Sequence, residues 1–361
     1  MVLAKTAQMA ARAEAIGKLI KTRCPGVAVE MLDVPSAYEY GALENLFLEF
    51  LAKNSGADVA LNVTGGTKLM AMAGQDVFRS DGKPVFYVNV ENDRVLVLGK
   101  SGEETQLTAG LKVHEMLAVH GHDATVPSQP QVTAEERDLA ARLIDRVQSD
   151  GWALGAVNAI AMDAKRKNSL AVKLTRDQFD SKSISTLLEL FADAKVLLLQ
   201  GDLLRFKSEA SRAFVNGGWL EMHVFQTLQN LRGKHKTISD VASNVVIPFD
   251  GRVGNASNAK MNEIDVAFLS KNTLHLIECK TANLAVTGHG DDDKATEALY
   301  KMESLLKLGG LRTKGMVVDY RGAFSSSAAN LQRAAEANIL VASGKDLKDF
   351  GRLITRRWLS N

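Results

Sequence analysis

Asp265, Glu278 and Lys280 are the residues whose chemical types and spacing stand out first in this chain. Apolar residues alternate with polar ones on either side of a polar turn at Lys271 and Asn272, which predicts a β-hairpin. With the turn centred between these two residues, Asp265 faces Glu278, and facing side chains lie about 4.5–5.5 Å apart at Cβ. Two carboxylates at that distance repel each other unless a cation lies between them. The pair therefore predicts a site for a hard divalent ion, Mg²⁺ or Mn²⁺.

Lys280 projects from the same face of the second strand as Glu278, because residues two apart in a strand share a face. An ammonium beside a bound ion can orient an attacking water or stabilise negative charge that develops on a phosphate. A purely structural ion site would not require such a lysine, so its presence favours phosphodiester hydrolysis. The alternative is a solvated strand face on which Lys280 forms an ion pair with Glu263, the residue that it faces.

The hairpin resembles the core of the PD-(D/E)xK nucleases. The resemblance implies that Asp265 and Glu278 are the metal ligands and that Lys280 is the catalytic lysine. Ile264 stands where the name of the motif places a proline, a position that is loose in this superfamily. A helical glutamate often completes the site, and Glu221, near the start of an apolar stretch with helical spacing, is the candidate.

A second motif, Thr64-Gly65-Gly66-Thr67-Lys68, joins a predicted buried strand at 57–63 to a predicted helix at 69–78. Glycines let the backbone approach a ligand closely, and a helix N-terminus presents unpaired N–H groups to an anion. A phosphate is the natural ligand of such a loop, although a glycine pair between a strand and a helix is also common in plain turns. The candidate ligand-binding residues are Asn62, Thr64, Gly65, Gly66, Thr67 and Lys68.

The run from Asn62 to Ala71, N-V-T-G-G-T-K-L-M-A, closely resembles the strand-to-helix signature of CARF domains. These are Rossmann-like sensors of the cyclic oligoadenylates that are made during type III CRISPR immunity. A CARF sensor followed by a PD-(D/E)xK nuclease is the arrangement of the CRISPR-associated ancillary nucleases of the DUF1887 type. The resemblance implies an endonuclease that is activated by cyclic tetra-adenylate, cleaves DNA or RNA, and works as a homodimer around one symmetric ring.

Two other functions remain open from the sequence. The first is a ligand-responsive nucleic-acid-binding regulator with an inactive nuclease fold, which the intact Asp265, Glu278 and Lys280 set argues against. The second is a restriction or repair nuclease without a second messenger, which the Thr64–Lys68 loop argues against.

Alternating helices and strands predict an α/β protein of three domains. Residues 1–127 are expected to form the CARF-like sensor on a largely parallel sheet, 128–207 a winged-helix-like connector, and 208–361 the nuclease domain. Because the stretch from Lys5 to Arg23 is predicted as a helix with only four residues before it, the first strand and helix of the sensor are expected to be missing. Thr133, with Glu136 three residues later, predicts a capped helix through Val147.

The composition is that of an ordinary globular protein: 361 residues, 46% hydrophobic and 24% charged, with a net charge of +2. Any nucleic-acid surface must therefore be local. The two cysteines, Cys24 and Cys279, provide no disulfide framework, and Cys279 is expected in the core. No apolar run is long enough to span a membrane, and the N-terminus does not resemble a signal peptide, so a cytoplasmic location is expected.

Four further residues lie near the hairpin motif. His275 and His289 are expected to be surface histidines. Tyr300 and Lys301, in the helix after Lys280, are candidates for substrate contact by the same family resemblance, although an ordinary helix surface explains them as well.

Overall fold

A computed structural model describes residues 1–99, 104–127, 132–248, 261–281, 291–322, 324 and 327–360, without the side chains of 291–294. His289 lies outside these residues. Internal contacts divide the chain into two compact units, one formed by 1–110 with 118–121 and the other by 111–117 with 122–361. Each unit is described separately below.

The first unit alternates helices with short strands. Its elements are β1 (Val2–Lys5), α1 (Ala10–Arg23), β2 (Glu30–Asp33), α2 (Tyr40–Lys53), β3 (Leu61–Asn62), α3 (Lys68–Ser80), β4 (Val85–Asn89), β5 (Arg94–Val97) and β6 (Glu104–Gln106). β1 and β2 pair in parallel, as do β3 and β4, but β5 runs antiparallel to both β4 and β6. The sequence predicts a largely parallel sheet, and this prediction is wrong for β5 and β6. The short turn through Asp93 can join β4 and β5 only as antiparallel strands.

The first strand corrects another prediction. Val2–Lys5 is a strand that pairs with Glu30–Asp33, and the helix predicted from Lys5 begins at Ala10. The residues before the predicted helix are therefore a paired strand. Residues 2–5 gain their hydrogen bonds from a partner nearly 30 positions away, which the helical pattern of the sequence does not reveal.

Helices α2 and α3 form the core of the first unit with strand β4. Phe47 and Phe78 meet edge to face at 6.2 Å, and Val85 of β4 is buried beside them. Gly74 allows α3 to pack closely, since a Cβ there would lie 2.7 Å from Leu61 Cδ2 of β3. This packing fixes the start of α3 against the end of β3, where the Thr64–Lys68 loop lies.

The second unit contains a three-stranded sheet and a five-stranded sheet. After α4 (Val113–Val119), its elements are α5 (Ala134–Arg166), β7 (Ala171–Lys173), α6 (Arg176–Asp180), α7 (Lys182–Asp193), β8 (Leu197–Gln200), β9 (Leu203–Phe206), α8 (Glu209–Ala213), α9 (Trp219–Lys234), β10 (Ile238–Pro248), β11 (Met261–Ser270), β12 (Thr273–Lys280), α10 (Asp291–Leu306), β13 (Lys314–Asp319), α11 (Ala328–Glu336), β14 (Ile339–Ser343) and α12 (Phe350–Ile354). The strand orders are β7-β9-β8 and β10-β11-β12-β13-β14. In the larger sheet, β10 to β12 are antiparallel and β12 to β14 are parallel.

Helix α5 begins as the sequence predicts and ends much later. Thr133 and Glu136 form the complete capping box. The helix then continues past Val147 to Arg166 across one non-helical residue, Asp150, with a φ of −117°. The polar, glycine-containing segment after Val147 suggested an end, but buried Leu154 and later apolar residues hold the chain in a second helical segment.

The segments predicted as connector and nuclease share one hydrophobic core. Phe191 of α7 meets Phe214, which precedes α9, edge to face at 6.3 Å. One cluster of buried side chains runs from Leu139 in α5 to Ile354 in α12. The predicted boundary at 207/208 therefore crosses a continuous core. Just before it, β8 and β9 form a hairpin that turns at Gly201.

Within the part of the chain that the structure describes, no helix has the length and apolar character needed to cross a membrane.

Candidate active site and ligand-binding loop

The β11–β12 hairpin has the predicted register. Val266 pairs with Ile277 and Ser270 with Thr273. Lys271 and Asn272 occupy the turn with φ of 48° and 51°, the left-handed conformation of tight hairpin turns. Asp265 is held at the far end of this ladder because the Cys279 N–H donates to its Oδ2 at 2.6 Å.

Glu278 is the central side chain of the cluster and is only 1% exposed. Its Oε1 accepts hydrogen bonds from two ammonium groups, Lys280 Nζ and Lys301 Nζ, each at 2.6 Å. Its Oε2 is buried and has no hydrogen-bond partner among the described residues. The alternative ion pair between Lys280 and Glu263 does not form, because Lys280 turns to Glu278 on its own strand.

Glu221 of helix α9 lies close enough to this cluster to interact with the charges of Asp265, Glu278 and Lys280. The turn before the helix is wound as a π-helix through Gly217, whose φ of 123° requires glycine. A Cβ on Gly217 would lie 2.2 Å from Thr281 Oγ1, so the chain before α9 passes directly against the end of β12. Burial, followed by repulsion from Asp265, raises the pKa of Glu221 to about 8.

The other ionisable groups at the site reflect the same crowding of negative charge. Burial and the neighbouring Glu278 raise the pKa of Asp265 to about 7. Burial alone would lower the pKa of Lys280, but the Glu278 carboxylate outweighs it and the net shift is upward. Cys279 is buried on the core side, as predicted, and burial raises the pKa of its thiol well above the usual value.

The donor chemistry of this cluster fits a hard divalent cation. Asp265 and Glu278 offer carboxylate oxygens, and the unpartnered Glu278 Oε2 is a buried acceptor that a cation would satisfy. Within the described ranges, no three His, Cys, Asp or Glu side chains converge as a complete metal cage. Mg²⁺ commonly uses only one or two carboxylates and completes its shell with water and substrate phosphate, so two protein ligands are sufficient.

His275 lies where the sequence did not place it, and Lys301 makes a contact that the sequence did not predict. His275 is 1% exposed, in contrast to the predicted surface position, and stacks on Phe268 at 4.3 Å and against Trp358 at 4.8 Å. Burial lowers its pKa to about 3. Lys301 reaches Glu278 rather than open solvent, while the neighbouring Tyr300 is 63% exposed.

The loop between β3 and α3 in the first unit is shaped by its own side chains. Asn62 Oδ1 accepts from the Thr64 hydroxyl at 2.6 Å, and that hydroxyl accepts from Val88 N at 2.7 Å. Thr67 caps α3 by accepting from Met70 N at 3.2 Å, and its hydroxyl donates to Ala37 O at 2.7 Å. Asn62, Thr64 and Thr67 therefore hold the loop in shape.

Gly65, Gly66 and Lys68 are the exposed members of the same loop. Gly66 has a φ of 84°, which requires glycine, and a Cβ on Gly65 would meet nothing within 4 Å. Among the described residues, neither the two glycine N–H groups nor the Lys68 ammonium has a hydrogen-bond partner. Asn62 is also exposed, but its side-chain oxygen is used within the loop, so these three residues are the exposed members of the predicted set that are available to a ligand.

The two units thus combine an α/β unit with a glycine loop at a helix N-terminus and a unit with a carboxylate–lysine cluster on a mixed sheet. This is the architecture of a ligand-sensing domain joined to an endonuclease. Residues 1–116 match the family described as the Card1 CARF domain, and residues 208–359 match the family described as the Card1-like endonuclease domain. The chain belongs to the CRISPR-associated ancillary nucleases that join these two domains.

Solved structures resemble the chain over nearly its whole length. The crystal structure of protein VC1899 from Vibrio cholerae is 25% identical, with a TM-score of 0.87, and the alignment covers 99% of this chain and 91% of that one. Can2 from Sulfobacillus thermosulfidooxidans, solved in complex with cyclic tetra-adenylate (cA4), is also 25% identical, with a TM-score of 0.74 and coverage of 98% and 91%. No curated protein sequence matches the chain significantly.

Proposed function

We propose that this protein is a cyclic-oligoadenylate-activated, metal-dependent endonuclease of the PD-(D/E)xK type that acts in type III CRISPR defence. Its activator is cyclic tetra-adenylate, its substrate is DNA or RNA, and it works as a homodimer in the cytoplasm. The observation that carries the proposal is the Glu278 arrangement, in which a buried carboxylate has one oxygen held by Lys280 and Lys301 and the other unpartnered in the described chain. A buried carboxylate oxygen without a hydrogen-bond partner destabilises the folded state, and a bound metal cation would offset this cost.

Each residue of the cluster has a role in this proposal. Asp265 and Glu278 hold the ion, and an ion there would also offset the repulsion from Asp265 that helps to raise the pKa of Glu221. When bound there, Mg²⁺ or Mn²⁺ would polarise a phosphate oxygen and lower the pKa of an attacking water. The Lys280 ammonium, 2.6 Å from Glu278, lies where it can orient that water or stabilise charge on the phosphate.

The activator is assigned to the loop at the start of α3. Can2, a structural neighbour of 25% identity, was solved with cyclic tetra-adenylate, and the exposed Gly65, Gly66 and Lys68 offer N–H groups and a positive charge to a phosphate. A ring of four identical nucleotides has the symmetry to bind between two copies of one chain, which supports the homodimer.

An omission experiment tests the proposal. Single-stranded and duplex DNA and RNA are incubated with protein, Mn²⁺ and cyclic tetra-adenylate, with each component left out in turn. We expect cleavage only in the complete mixture. Cleavage without the activator would indicate a nuclease with no second messenger, and specific binding without any cleavage would indicate a regulator with an inactive nuclease fold.

A further inference from the structure

A cavity in the second unit has a chemistry unlike that of the carboxylate cluster. It has a volume of about 570 Å³, within the range of small-ligand sites, and is formed by α5 and by the segments that follow β13 and β14. Its lining includes Trp152, Arg321 and Lys345, and none of its lining residues is acidic. We call it the Trp152 pocket.

The pocket lies at the same edge of the sheet as the catalytic lysine. Lys280, the last residue of β12, pairs in parallel with Asp319 of β13, which in turn pairs with Ser343 of β14. Arg321 and Lys345 follow these two strands within two residues. Ligands of open α/β sheets bind beyond the carboxyl ends of the strands, so this edge is the expected place for a substrate.

Trp152 exposes its indole ring to solvent in this pocket. Its side chain is 55% exposed, whereas Trp219 is fully buried and Trp358 packs against Phe268 and His275. An indole that is left in water beside positive charge is a typical platform for an unpaired base.

Arg321 and Lys345 provide that positive charge. Neither side chain has a carboxylate within 4 Å among the described residues. The Arg321 guanidinium lies on the backbone of α5 at Gly155, where an added Cβ would be 2.6 Å from its Nη1. Gly155 follows Trp152 by three residues, so the guanidinium and the indole share one face of the helix.

We propose that the Trp152 pocket binds one nucleotide of a single-stranded substrate, with the unpaired base stacked on Trp152 and the adjacent phosphate held by Arg321 and Lys345. The inference rests on the proposed function for the identity of the strand. It places a substrate-positioning site beside the carboxylate cluster and makes a strand with unpaired bases the preferred substrate, because a paired base cannot expose its face to the indole.

Binding is tested in the full chain in EDTA, where no cleavage occurs, by titration with a single-stranded oligonucleotide and with the matching duplex. We expect the single strand, and not the duplex, to quench tryptophan fluorescence. Trp152→Ala should lose the quench and bind the single strand on the order of tenfold more weakly, as should Arg321→Ala. Phe179→Ala and Arg176→Ala, which remove another exposed aromatic and another exposed cation, are the matched controls and should bind as the wild type does.

Gly155→Ala is the more specific test. It keeps every charge, and its added methyl group would displace the Arg321 guanidinium. Alanine favours the helix, so thermal stability should be unchanged or higher while binding weakens. Equal binding of wild type, Trp152→Ala and Gly155→Ala would overturn the inference. Quenching by cyclic tetra-adenylate in place of the strand would also overturn it, because the pocket would then be an activator site. A protein that binds strands through Trp152 but never cleaves would contradict the proposed function and support this inference.

Discussion

Glu278 and Asp265 make the most direct prediction at the scale of single residues. Asp265→Asn or Glu278→Gln should abolish cleavage, because each removes a charge that holds the ion, and should leave affinity for cyclic tetra-adenylate near that of the wild type. Cleavage assays and calorimetry measure the two properties separately. Wild-type cleavage that persists in EDTA would contradict the role of these carboxylates.

Lys280 and Lys301 can be separated although both contact the same oxygen of Glu278. The charge of Lys280 lowers the pKa of both Asp265 and Glu221. The charge of Lys301 lowers the pKa of Asp265. Both Lys280→Ala and Lys301→Ala should keep or modestly tighten Mn²⁺ binding, since each removes a competing positive charge. Lys280→Ala alone should lose most single-turnover activity; a Lys280→Ala protein that cuts at the wild-type rate would remove this lysine from catalysis.

His275 predicts a dependence of stability on pH. Its pKa is about 3 in the folded protein and 6.5 in an unfolded chain, so the unfolded state gains a proton first and stability is lost as pH falls below 6.5. Between pH 7.5 and pH 5 the loss is roughly 2 kcal/mol. His275→Phe, which keeps an aromatic ring beside Phe268, should remove this part of the acid sensitivity. Urea unfolding of both proteins at the two pH values gives the difference; equal losses would show that His275 is not responsible.

Contacts between residues close in sequence could be predicted, and contacts between residues far apart in sequence could not. The pairing of the Asp265 hairpin depends on a local turn and an alternating pattern, so its register was predictable. The burial of His275 depends on Trp358, more than 80 positions away, and the approach of Lys301 to Glu278 depends on how α10 packs on the sheet. No pattern within one strand or helix encodes such contacts.

At the scale of elements, the approach of Gly217 to the end of β12 sets the position of Glu221. Gly217→Ala would place a Cβ 2.2 Å from Thr281 Oγ1 and would strain a φ of 123°. The start of α9 should move, and turnover should fall by about a hundredfold, because small misplacements of catalytic groups are costly. Gly233→Ala, at an open position near the other end of α9, is the matched control. Equal turnover in the two variants would show that the contact does not position Glu221.

The elements of the first unit show why strands were harder to predict than helices. α2 carries its own apolar stripe of Leu43, Phe47 and Leu51, so its helical spacing is visible in the sequence. β1 has four residues and half-exposed side chains, and it is a strand only because β2 lies beside it. β14 is likewise a strand because its hydrogen bonds come from β13, which no local pattern reveals.

At the scale of the whole molecule, the proposed activation links a loop in one unit to chemistry in the other. Lys68→Glu places a negative charge where a phosphate of the activator is expected, so it should weaken cyclic tetra-adenylate binding about tenfold or more. It should also raise the activator concentration needed for half-maximal cleavage. Lys18→Glu, an equal charge reversal on the exposed face of α1, is the control. If calorimetry finds the same affinity for both variants, the activator binds elsewhere.

The continuous core that runs from Leu139 to Ile354 limits how this chain can be divided. A fragment that starts at Ser208 would keep Phe214 and lose Phe191, its packing partner, so a large apolar surface would be left in water. The segment from Ser208 onward is therefore not expected to fold stably by itself. Any exchange of the sensor for another should therefore keep the whole chain from α5 onward, including the hairpin of β8 and β9.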